Sequence, residues 1–134
     1  MCDRILIIDT ESYLGEELGP ALAEAGFSVA RVSNYPEAIS ILVMLKPDMI
    51  ILNQTSEESL EECHQLHTIS CLPVILVGED YSCDIWKEAL FEAEAESYVR
   101  KPFCTEELIA RMKAMLRRYR GESTPEMFLE TKGQ

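Results

Sequence analysis

Three short aliphatic runs in this chain end on residues able to do chemistry. Arg4-Ile5-Leu6-Ile7-Ile8 closes on Asp9, with Thr10 and Glu11 next. Met49-Ile50-Ile51-Leu52, started by Pro47-Asp48, closes on Asn53 and Gln54, and Ser97-Tyr98-Val99-Arg100 closes on Lys101-Pro102-Phe103. The carboxyl ends of strands are where ligands sit in open α/β sheets. Asp9 and Lys101 are natural ion-pair partners there, and Glu11 is a further oxygen donor. Asn53 is the puzzling member, because an amide is uncharged, a poor nucleophile and no anionic metal ligand.

Other groups compete for attention. His64 and His67 stand at i and i+3, a spacing able to hold a metal ion, but no further ligand accompanies them and they read as surface histidines. Cys104 falls near the start of a helix with Glu107 three residues on, where the helix N-terminus would favour a thiolate. Glu57, Glu58, Glu61 and Glu62 make the solvated face of an acidic helix.

The elements that must position these groups alternate in kind. Strands are predicted at 4–8, 27–32, 48–53, 73–77 and 97–100. Between them lie helical periods. The first carries Leu14, Leu18, Ala21, Leu22 and Ala25, with Pro20 set to kink it or delay its regular part. The second carries Ala38, Ile39, Leu42 and Val43, behind a capping-box pair of Asn34 and Glu37. Leu60, Cys63 and Leu66 mark the third; Ile85, Trp86, Ala89, Leu90 and Ala93 the fourth. Leu108, Ile109, Met112, Met115, Leu116 and Tyr119 mark the fifth. Strands apolar on both faces and separated by helices predict a doubly wound α/β sandwich: five parallel strands and five helices.

The chain of 134 residues suits one domain over 1–120. Residues 121–134 open with Gly-Glu-Ser-Thr-Pro, a linker composition, and continue into a strand-like start that could begin a truncated C-terminal DNA-binding domain. A net charge of −12 argues against direct nucleic-acid or anionic-membrane binding by this segment. No apolar run approaches the roughly 20 residues of a membrane span, no signal-peptide pattern opens the chain, and five scattered cysteines lack a CxxC. The expected setting is cytoplasmic, with reduced thiols.

Asp9, Asn53 and Tyr98-Val99-Arg100-Lys101-Pro102-Phe103, in that order and spacing, resemble the receiver domain of two-component response regulators, with its flavodoxin- and CheY-like fold. "RKPF" followed by "EELIARMKAMLRR" is closest to receivers of the OmpR/PhoB type. The resemblance implies two acidic residues and an aspartate holding Mg²⁺, that aspartate accepting a phosphoryl group, and a Thr or Ser plus a Lys binding the phosphoryl oxygens. Matched onto this chain, Asp9 keeps the first acid, Thr10 replaces the second and Asn53 replaces the nucleophile. Gly78 replaces the hydroxyl residue, and Lys101 is kept. Tyr98 stands at the family's switch aromatic, here read as a fixed strand residue. The loop after Asn53 also lacks the family's Pro and Gly.

The expectation is a regulatory, non-enzymatic pseudo-receiver without cofactor or defined metal. It would act through protein contacts and regulate transcription through an attached or partner DNA-binding domain. The resemblance implies a homodimer through the fourth helix, fifth strand and fifth helix, by Lys87, Glu96, Glu107, Arg111 and Arg118, with Phe91 and Ile109 supplying apolar area. Two rival readings stand beside it. One is an ordinary phosphorylated regulator in which Asn53 is a substitution. The other is a redox or small-ligand sensor using Cys104 or the vacated pocket.

Overall fold

A computed structural model describes residues 3–9, 13–53, 58–78, 97–100 and 103–119. Five strands lie in one sheet: β1 (Arg4–Ile8), β2 (Ser28–Val32), β3 (Met49–Asn53), β4 (Val74–Gly78) and β5 (Ser97–Arg100). The helices are α1 (Tyr13–Glu24), α2 (Tyr35–Leu45), α3 (Glu58–Ser70) and α4 (Thr105–Tyr119), the last being the fifth helix of the sequence reading. The predicted helix through Ile85 and Ala93 lies outside the described residues.

All strand pairs are parallel, in the order β2-β1-β3-β4-β5. The chain therefore winds outward from β1 to β2, then crosses back to lay β3, β4 and β5 on the other side. The crevice between β1 and β3 is the topological switch point, the usual ligand site of such sheets.

Side chains alternate between the two faces of a strand, so each strand supplies two half-cores. Ile5, Ile7, Met49, Ile51, Ile75 and Val77 pack with Leu14, Leu18 and Leu22 of α1 and Leu108, Met112, Met115 and Leu116 of α4. Leu6, Ile8, Ile50, Leu52, Val74 and Leu76 pack on the opposite side with Ala38 and Leu42 of α2 and Cys63 and Leu66 of α3. Burying one such side chain contributes about 1.5–3 kcal/mol, and truncating Leu18 to Ala would cost about 2–5 kcal/mol.

Several local expectations need adjustment. Pro20 does not delay α1, which is helical from Tyr13 onward. The ring sits on the solvent side, where the carbonyl it displaces can turn to water. Of the apolar residues read in the second helix, Ala38 and Leu42 are buried and Val43 points outward. His64 and His67 are half-buried: Nδ1 of His67 lies 3.3 Å from the carbonyl oxygen of Leu72. Nδ1 of His64 is enclosed without a hydrogen-bond partner among the described residues.

The start of α2 follows its sequence signal. Asn34 is the N-cap, its side chain accepting from the Glu37 N–H at 2.8 Å, while the Glu37 carboxylate accepts from the Ser33 N–H at 2.8 Å. The other end stops on Lys46 in the left-handed region, φ 52°, its N–H donating to the Leu42 carbonyl. Just beyond, Asp48 and Arg4 exchange bonds, Arg4 N–H to Asp48 Oδ2 at 2.7 Å and Asp48 N–H to the Arg4 carbonyl at 2.7 Å. Arg4 Nη1 also donates to the Leu45 carbonyl at 2.8 Å, tying the end of α2 to the start of β1. Replacing Asn34 by Ala should lower stability by about 1 kcal/mol in urea denaturation, with the slope of the transition unchanged.

Candidate functional site

Alternation also decides where the polar groups go. Asp9 is in phase with Ile5 and Ile7, and Asn53 with Met49 and Ile51, so both side chains emerge on the α1 side at the carboxyl edge of adjacent strands. Each is buried, Asp9 to 3 % exposure and Asn53 to 2 %. A carboxylate taken out of water is costly unless hydrogen-bonded. Here Asn53 Nδ2 donates to Asp9 Oδ1 at 2.8 Å, and the backbone N–H of Gly15 donates to Asp9 Oδ2 at 2.9 Å. The Asp9 N–H continues the sheet ladder to the Val32 carbonyl at 3.0 Å, which fixes the backbone from which the carboxylate projects.

Gly15 lies in the first turn of α1, where N–H groups have no partner within the helix and the helix dipole favours an anion. Asp9 thus serves as an acceptor for that turn. Gly15 also answers a packing demand. A Cβ there would collide with Nε of Arg31 and lie 2.9 Å from its Cζ, because Arg31 on β2 lays its side chain across α1. Neither residue was singled out as part of the site. The available signal was a glycine inside an otherwise helical pattern, which marks a close approach.

Gly78 ends β4 at the same edge, buried, in register with Arg100 of β5, while its neighbour Val77 is in register with Asn53. No hydroxyl is available at that position. Thr10 and Lys101 lie outside the described residues, as do Lys87, Phe91 and Glu96. Tyr98 is in β5, in register with Leu76.

The residues expected at an interface are spread along α4. Glu107, Arg111 and Arg118 are exposed on it, and Arg111 Nη2 lies 3.9 Å from Glu107 Oε2 within the helix. Such a solvated pair contributes little to stability. Ile109 is half-buried and packs in part against its own core. Cys104 precedes α4, exposed, its carbonyl accepting from the Leu108 N–H at 3.0 Å.

Metal binding can be tested on this geometry. Mg²⁺ takes oxygen ligands at a hard, near-octahedral site. The described residues offer one carboxylate whose two oxygens already accept N–H groups, beside an amide turned donor-side toward it. Thr10 and Glu11, next to Asp9 in sequence, lie outside the described residues, and among the described residues no group of three His, Cys, Asp or Glu could hold a metal.

A parallel sheet wound in this order has the flavodoxin- and CheY-like double winding, with Asp9 at its β1–β3 switch point. The chain belongs to the response regulator receiver domain family, whose model matches residues 5–113. It is 35% identical over 130 residues to response regulator MprA of Mycobacterium tuberculosis, an alignment of 94% of this chain with 56% of MprA. The chain thus spans about half the length of the curated relatives it matches. Among solved structures, a two-component response regulator from Clostridium difficile is 28% identical with a TM-score of 0.80, covering 87% of this chain and 98% of that one. A CheY-like receiver domain protein from Methanospirillum hungatei JF-1 has a TM-score of 0.81 at 18% identity, covering 92% and 100%, which shows the shared fold. No helix of the described residues is long and apolar enough to cross a membrane.

The Arg31 contact separates two glycines of one helix. Gly19→Ala should stabilise the protein by about 0.5–1 kcal/mol, since its nearest neighbour, Arg31 Cδ, is 4.0 Å away and alanine is the better helix former. Gly15→Ala should lose that gain, because the guanidinium must swing aside. In an Arg31→Ala background the gain should return, a coupling that a double-mutant cycle by urea denaturation measures directly.

Proposed function

We propose that this chain is a receiver that signals without an aspartyl phosphate, by changing or presenting protein contacts. The observation that carries the reading is Asn53, an amide at the edge of β3, donating its N–H to Asp9. Acyl-phosphate chemistry needs a carboxylate oxygen as nucleophile. The lone pair of an amide nitrogen is delocalised into its carbonyl, and here that nitrogen is also occupied as a donor. Gly78 removes the hydroxyl that would hold a phosphoryl oxygen, and Thr10 stands where a second acid would help to hold a cation.

A switch also requires a ligand that contacts two states differently. With the amide and Gly15 both holding Asp9, the edge is already satisfied in one state. Regulation then falls to partners, and the chain itself performs no catalysis. Its double winding is that of the family, five strands with five helices, the period through Ile85 and Ala93 carrying the remaining one. A second copy docks on the face of α4 and β5 through Glu107, Ile109, Arg111 and Arg118, joined by Lys87, Phe91 and Glu96. Residues 121–134 lead toward a further domain, which acts on DNA in the cytoplasm, while the −12 chain itself stays off nucleic acid. The exposed thiol of Cys104 beside α4 favours a second reading, a redox sensor, and mild oxidant is therefore included in the test.

Incubation with acetyl phosphate or phosphoramidate and Mg²⁺ should leave the intact mass unchanged, and mild oxidant should leave the association state unchanged. Asn53→Asp restores the nucleophile but should label slowly and without a shift in association, because a second acid and the hydroxyl are still missing. Stoichiometric phosphorylation of Asn53→Asp with a clear change in dimerisation would overturn the reading in favour of an ordinary response regulator. Arg111→Glu should weaken self-association several-fold by sedimentation, and unchanged association would remove the α4 face from the account.

A further inference from the structure

We draw no further inference here: the strongest candidate, the exposed apolar patch of Val43 and Met44 on the outer face of α2, carries none because nothing in the structure shows what covers it.

Discussion

A parallel sheet covered on both faces leaves its central strands nowhere to expose a side chain. In β1, β3 and β4 only Arg4, at the very start, reaches solvent. Every polar group near those strands must then find a partner inside the protein or be excluded by sequence. Among the described residues two polar side chains are buried at the carboxyl edge, Asp9 and Asn53, and they find each other. Their hydrogen bond, together with the Gly15 N–H, makes burial of a charge tolerable and ties β1, β3 and α1 at one point.

That arrangement constrains what the edge can do. A site built to gather several carboxylates repels itself and calls for a cation, whose arrival or whose phosphoryl partner then has two states to choose between. Replacing one carboxylate by an amide changes repulsion into a hydrogen bond. Arg31 lies over Gly15 of α1 beside the pair. The family's scaffold is kept, and at this edge a hydrogen bond joins the first and third strands through Asn53 and Asp9.

The two helical layers meet different demands. The layer of α1 and α4 buries fourteen residues with its strands and presents charged residues outward on α4. Among the described residues the layer of α2 and α3 buries ten, and α2 leaves Val43 and Met44 exposed. Tyr35 at its start donates to Gln65 of α3 at 2.7 Å, and burial with Glu62 and Glu61 nearby pushes its phenol above the ordinary value. The two helices are therefore joined near one end, and the surplus apolar surface lies toward the other.

Much of the architecture was legible in the chain because its signals are local. Continuous apolar runs specify buried parallel strands, the Asn34–Glu37 pair specifies a helix start, and Asp9 and Asn53 are recognisable as strand-ending polar residues. What locality cannot supply is neighbourhood. That residues 44 positions apart share a hydrogen bond follows from β1 and β3 being adjacent, which the crossover decides. That a side chain on Gly15 would displace the Arg31 guanidinium follows from Arg31 arriving from another strand. Because α2 is apolar nearly all round, periodicity could not choose its inner face. Contact of Ala38 and Leu42 with the sheet made the choice, and it turned Val43 and Met44 to the outside. Sequence by itself set which segments bury and where polar groups interrupt them; only packing at long range decided which of those groups meet and which apolar face is left over.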